Sequence, residues 1–173
     1  MNTPACKPLW QILGEQDIKL EPGSTVLDLG CGFPFDLLSL YNKGFSQNLS
    51  GIDISEAAED FEMLYKRFLK DFGLKTNTWP PAIRLHYQTA IKDYLTKNIH
   101  PKHSLIILSD VLHQQPAGEA EWIVNNLTDH LRGEGIIYYK GVNRQKILRL
   151  FDSFGCIYKE ECGLLVSALF RQH

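Results

Sequence analysis

The sequence predicts an α/β fold: a seven-stranded, mostly parallel sheet with helices on both faces and an antiparallel last strand. Three observations carry this. From residue 24 onward, short apolar runs alternate with helical patterns. The first run, Thr25 to Leu29, stops at Gly30 and Gly32, as a buried parallel strand feeding a tight turn does. Two closing strands, 156–160 and 163–170, meet so closely at Cys162-Gly163 that they must run antiparallel.

Each element has its own signal. Pro4 and Pro8 give residues 1–8 the character of an irregular arm. Leu9, Trp10, Ile12 and Leu13 make a short apolar helix ended by Gly14. Pro22-Gly23 turns the chain into the first strand, 24–29. Pro34 suits a first helical turn, and Asp36 falls where the helix dipole favours negative charge. That helix runs to about Asn42 and ends before Gly44; the second strand is 49–54. Ser55 is a candidate N-cap for a long helix whose apolar residues (Ala57, Ala58, Phe61, Leu64, Tyr65, Phe68, Leu69, Phe72) keep helical spacing until Gly73. Residues 76–81 read as a loop, 83–88 as the third strand and 91–96 as a short helix. The fourth strand is 104–109, followed by a helix over 116–132 with Trp122, Ile123 and Leu127 inward. The fifth strand is 135–140, and a helix over 143–153 stops at Gly155. No repeat or linker divides residues 1–173, so they read as a single domain.

Bulk composition excludes several classes. At 44% hydrophobic and 22% charged, the chain is a soluble globular type. Its net charge of −2 lacks the basic excess of a long nucleic-acid footprint. No basic-then-apolar leader and no apolar run near about 18 residues is present, which predicts a cytoplasmic protein without a membrane partner. Cys6, Cys31, Cys156 and Cys162 form no CxxC or paired framework and read as reduced thiols. The six histidines show no metal-ligand spacing, so no metal is expected.

The chemistry lies in Asp28-Leu29-Gly30-Cys31-Gly32. Glycines let backbone amides approach a ligand that a Cβ would exclude. Asp28 beside the turn suits a cationic amino-acid group better than a bare phosphate. Asp53, ending the next strand, can accept hydrogen bonds from a ribose. A nucleoside with an amino-acid tail fits both ends, and S-adenosylmethionine is such a molecule. A dinucleotide fingerprint needs a small residue where Phe35 stands, and no Gly-Lys-Ser/Thr marks a phosphate loop.

These residues resemble the class I S-adenosylmethionine-dependent methyltransferases. Asp28 to Gly32 looks like the first motif of that family, and Gly51 to Ser55 like the second. Leu105 to His113 resembles the strand-and-loop motif that follows. Leu131 to Gly135 with Ile136 to Tyr139 resembles the turn into the fifth strand. Phe33-Pro34-Phe35 departs from the family by lacking a third small residue in the loop. The resemblance implies S-adenosylmethionine as cofactor and S-adenosylhomocysteine as product. It implies that Asp28 orients the amino group, while Gly30 and Gly32, with Cys31 and Phe33 in the same loop, approach the carboxypropyl part. Asp53 would take the ribose, Ile54 one adenine face, and Thr89 or Ala90 the other. Ser109 opens the loop after the fourth strand on the same side.

In an open α/β sheet the ligand sits beyond the carboxyl ends of the strands, which sorts the remaining candidates. Methyl transfer needs proximity, alignment and water exclusion, with a base only where the acceptor has a proton to lose. His113, four residues past the fourth strand and with an ordinary pKa of about 6.5, is the candidate base, with Asp110 to orient it. Lys140, Asn143 and Arg144 lie on the acceptor side and suit an anionic small molecule. The expected activity is methyl transfer to oxygen or nitrogen of a small molecule. A methyltransferase-like partner subunit without activity, an RNA methyltransferase and an aminopropyl transferase are the alternatives. The RNA reading rests on Gly30-Cys31-Gly32-Phe33, which resembles the loop of the ribosomal RNA methylases of aminoglycoside resistance. No Asn/Asp-Pro-Pro-aromatic run and no Pro-Cys supports methylation of DNA bases. Few residues are inserted after the fifth strand, which leaves three arrangements for the acceptor pocket: an open site, one completed by a second copy in a homodimer, or one lidded by residues 1–20.

Overall fold

The computed structural model describes residues 6–21, 23–45, 48–56, 60–74, 78–97, 101–116 and 118–172. Apolar residues line both faces of the central strands, so helices must cover both. In β1 (Thr25–Leu29), Leu27 and Leu29 face one core and Val26 the other. β2 (Asn48–Ile52), β3 (Ile83–His86), β4 (His103–Ser109) and β5 (Leu131–Val142) run parallel to it. β6 (Gly155–Cys162) and β7 (Leu165–Arg171) complete a sheet of order β3-β2-β1-β4-β5-β7-β6. Only β7 is reversed, pairing antiparallel with both β5 and β6. The expected class is therefore the observed one. Each fully buried leucine of these cores, such as Leu27, stabilises by roughly 1.5–3 kcal/mol relative to exposure.

One core lies beneath α1 (Leu9–Glu15), α2 (Phe35–Asn42) and α3 (Phe61–Asp71). The other lies beneath α4 (Ile91–Thr96), α5 (Glu119–His130) and α6 (Gln145–Leu148), which continues as a 3-10 turn over Arg149–Phe151. α1 packs into the first of these cores through Leu9, Ile12 and Leu13. Leu9 is 1% exposed, and Trp10 lies 4.4 Å beneath the Lys43 ammonium.

Several boundaries move for tertiary reasons. β5 begins at Leu131 rather than 135 because Leu131 pairs with His103, which also ends α5 two residues early. It extends to Val142 because β7 pairs with it from Ile136 through Val142. Ser55 does not cap α3: its N–H and hydroxyl donate to Asp53, and Asp60 precedes the helix. The helical turn expected at Ala57 and Ala58, the loop at Thr76 and Asn77, and the start of the arm lie outside the described residues.

The thiol reading needs correction. Cys6 and Cys162 form a disulfide, with Cα atoms 5.5 Å apart, leaving Cys31 and Cys156 free. It joins the N-terminal arm to the β6–β7 hairpin. Residues 156 apart in sequence meet where the arm before α1 lies against β6, its Lys7 N–H donating to Glu160, a contact no local spacing reveals. The Glu160 carboxylate lies within 4.8 Å of both sulfurs, but these are bonded to each other, and the carboxylate accepts from the Lys7 N–H at 3.0 Å. Among the described residues, no helix is long and apolar enough to cross a membrane.

Candidate functional site

The loop after β1 is built from the sequence's glycines. Gly30 has φ 76° and Gly32 φ 48°, conformations that side-chain-bearing residues rarely adopt. A Cβ on Gly30 would stand 2.5 Å from Val111 Cγ2, so the loop after β4 fixes that residue as glycine. Both Gly30 and Cys31 donate their N–H to the Ile52 carbonyl, at 2.8 and 3.0 Å, which folds the loop over the end of β2. The Gly32 N–H donates to Asp53 Oδ2 at 2.7 Å, and its carbonyl accepts the Tyr87 hydroxyl at 3.1 Å. Three strand ends are thereby tied together. Burial, with Cys31 and Asp53 nearby, pushes the Tyr87 phenol up to about 12, so it stays a donor at neutral pH.

Beneath this loop lies a buried carboxyl group. Asp28 is 2% exposed, and its Oδ1 is buried with no hydrogen-bond partner. Burial first, then Asp36 and Asp53, hold its carboxyl well above the ordinary range. A buried acid with an orphaned oxygen is costly to the free chain, and Asp28 lies beneath the loop without itself lining the cavity at the strand ends. Cys31 is also buried, and burial keeps it a thiol.

A cavity of about 350 Å³ opens at the carboxyl edge of the sheet. It brings together Gly30, Cys31, Gly32, Asp53, Ile54, Ala90, Ser109 and Asp110, all named from the sequence. Ile54 is 74% exposed at its rim, free to pack on a flat ring. Thr89 does not line the cavity. It shapes the cavity instead, its N–H bonding the Asp53 carbonyl at 2.9 Å and its hydroxyl the Tyr87 carbonyl at 3.2 Å. Phe33 does not line the cavity; its ring meets Phe35 edge-on and Phe61 at a tilt, with ring centroids 4.5 and 5.2 Å away. Burying rings in that aromatic cluster outweighs facing the loop's polar mouth.

The acceptor side is less convergent. Asp110 holds a left-handed backbone (φ 56°), donating its N–H to the Lys140 carbonyl at 2.7 Å, and it lines the cavity. His113 lies outside the lining, half-buried, with Nδ1 unpartnered. Lys140 and Arg144 do not meet at one point. Lys140 shares its sheet face with Tyr138 and acts on the Asp36 carboxylate, whereas exposed Arg144 acts on Tyr139 of the opposite face. The Asn143 N–H is bonded to the Leu164 carbonyl in the hairpin at 2.8 Å.

Asp36 escaped notice as a site residue. From the first turn of α2 its Oδ2 accepts the Ser109 hydroxyl at 2.7 Å. Its place four residues past Gly32 on a helix that begins over the strand ends was the available signal. Glu119 and Gln114 also line the cavity, on the far side of the loop after β4, where no motif marked them.

No family model and no curated protein matches this chain. Solved structures do. The chain superposes on a candidate methyltransferase, yhhF of Escherichia coli, at TM-score 0.68 and 13% identity, covering 95% of this chain and 83% of that one. This chain has the class I methyltransferase fold. The same fold aligns it with ribosomal protein L11 methylase of Lactobacillus delbrueckii at TM-score 0.62 and 20% identity, over 94% of this chain and 77% of that one. N-methyltransferase NodS of Bradyrhizobium japonicum, solved with S-adenosyl-l-homocysteine, aligns at TM-score 0.58 and 14% identity, over 86% and 78%. In the class I fold, the carboxyl edge that carries the cavity is where the general rule for open α/β sheets places a ligand.

Proposed function

We propose that the chain is an S-adenosylmethionine-dependent methyltransferase acting on oxygen or nitrogen of a small molecule. The observation that carries the cofactor is Asp28: a buried carboxylate with an orphaned oxygen under a glycine loop, one strand from a second acid aimed at the cavity. An ammonium group satisfies the first, and a ribose diol suits the second. S-adenosylmethionine supplies a methyl group already activated by a positive sulfur. The chain's own work is to hold both ends and exclude water. Asp28 takes the ammonium, and the loop from Gly30 to Gly32 backs the amino-acid part. Asp53 takes the ribose, exchanging its internal bonds to Gly32 and Ser55 for the diol. Ile54 and Ala90, the latter positioned by Thr89, flank the adenine.

Where the acceptor has a proton to lose, Asp110 in the cavity wall and His113 beside it are the groups placed to handle it. Lys140, Asn143 and Arg144 remain the acceptor-side residues of this proposal. Their separation favours contacts with different parts of an acceptor over a joint grip on one anion.

The test is calorimetric titration with S-adenosylmethionine and S-adenosylhomocysteine. Micromolar binding of either is the expected result. Absence of binding to a chain shown to be folded refutes the cofactor and leaves the reading as a partner subunit.

A further inference from the structure

We infer that the Asp36–Ser109 pair makes the site read the charge on the cofactor's sulfur, favouring the sulfonium substrate over the neutral thioether product. The inference rests on the cofactor proposal above. Ser109 ends β4 and lines the cavity beside Gly30 and Gly32, where the reactive sulfur would lie. Its hydroxyl donates to Asp36 Oδ2 at 2.7 Å, which fixes the carboxylate one side chain behind the cavity wall. Asp36 is half-buried, and burial is the main influence on its carboxyl.

Methyl transfer changes one charge near this pair. The acceptor's lone pair forms the new bond to carbon. The carbon–sulfur bond breaks with its electrons left on sulfur, so a cationic sulfur becomes neutral. A fixed carboxylate behind Ser109 therefore attracts the substrate and not the product. Parts common to both ligands, the ammonium at Asp28 and the ribose at Asp53, cancel in a comparison of the two affinities. The ratio isolates the sulfur.

The neighbourhood of Asp36 allows this. Asp28 on β1, Asp110 after β4, and Tyr138 and Lys140 on β5 are the titratable groups acting on it. Only Lys140 is cationic, and Asp110 adds negative charge, while Asp28 is itself held toward its neutral form by burial and by Asp36. The orphaned Asp28 Oδ1 is a second, independent sign that this pocket is short of positive charge. Burial raises the Asp36 carboxyl above its ordinary range, opposed by the Ser109 hydrogen bond and Lys140. The preference should therefore fade on acidification at a higher pH than an ordinary carboxylate would give.

The experiment is calorimetric titration of the full chain and of Asp36→Asn with both ligands from pH 5 to 8. The wild type is expected to bind S-adenosylmethionine more tightly than S-adenosylhomocysteine at pH 8. The affinity ratio should drop about tenfold in Asp36→Asn, the scale of two charges several ångströms apart at a part-buried site. It should also fall with pH in the wild type and stay flat in the variant. Ser109→Ala, which frees the carboxylate, should lower the ratio in the same direction. A ratio indifferent to Asp36→Asn and to pH, with both ligands bound, overturns this inference and leaves the cofactor standing. If Asp36→Asn does not fold, the wild-type pH series decides: a falling ratio supports the inference, and a flat one overturns it. No binding of either ligand overturns both readings together.

Discussion

The loops after β1 and β2 and the hairpin joining β6 to β7 share one edge of the sheet but are held by different chemistry. The first region is tied by hydrogen bonds from Gly30, Cys31 and Gly32 to Ile52 and Asp53, and in the proposed function the ligand takes over the Asp53 bond. The second is closed by a disulfide that no ligand touches, and Leu164 at its tip is 82% exposed. One half stores its free energy in contacts convertible to binding. The other is fixed by the chain itself. Stability and affinity should therefore separate along this edge when the two are perturbed in turn.

The largest effect is expected from the hairpin. Cys162→Ser opens a closed loop spanning most of the chain and should cost about 3–5 kcal/mol of stability. Its signature is a fall in denaturant midpoint without a change in S-adenosylhomocysteine affinity below the transition. A matched loss of affinity would show that the two halves are coupled. Gly30→Ala reverses the pattern. A methyl group 2.5 Å from Val111, on a backbone at φ 76°, should destabilise by about 2–3 kcal/mol and abolish binding as well. Thermal melting with and without ligand separates the two outcomes.

Much of the first region was legible in the sequence because its signals are local. The strand before Gly30, the second acid at Asp53 and the short helix over 91–96 all depend on residues within a few positions of one another. What remained hidden depends on distance along the chain. Ser109 and Asp36 are 73 residues apart, and Cys6 and Cys162 are 156 apart. Asp36 had a sufficient local explanation as a helix-dipole residue, so nothing in the sequence demanded a further one. Phe33 misled for a related reason. Its place in the glycine loop suggested a ligand contact, but Phe61, brought alongside by the fold, claims its ring.

The intermediate effects test the two carboxylates. Asp53→Ala should weaken S-adenosylmethionine binding by about 1–3 kcal/mol, the scale of a hydrogen bond to a charged group. Equal affinity in calorimetry would remove Asp53 from the ribose site. Asp28→Asn should do two opposite things. The folded-state carboxyl of Asp28 is raised by burial and by Asp36 and Asp53, so its contribution to stability is full below the ordinary carboxylate range. That contribution is lost as pH rises through the raised value. At neutral pH the free chain therefore carries a penalty that the amide removes. The variant should melt a few degrees higher, about 1 kcal/mol, and lose less stability between mildly acidic and neutral pH. It should also bind the cofactor more weakly. Higher stability with unchanged affinity would separate Asp28 from the ligand.

The smallest effect on affinity belongs to His113. It lies outside the cavity wall, so His113→Ala should change S-adenosylhomocysteine binding by less than about 0.5 kcal/mol. Turnover should respond differently. With an acceptor that loses its proton during transfer, a general base contributes about a hundredfold or more. His113→Ala would then lower kcat by that factor with affinity intact. The His113 Nδ1 is buried and unpartnered, so acting on an acceptor would require the ring to turn toward the cavity. An unchanged kcat would assign any proton transfer to Asp110, the carboxylate in the cavity wall. The acceptor half would then be organised, like the cofactor half, around an acid at a strand end.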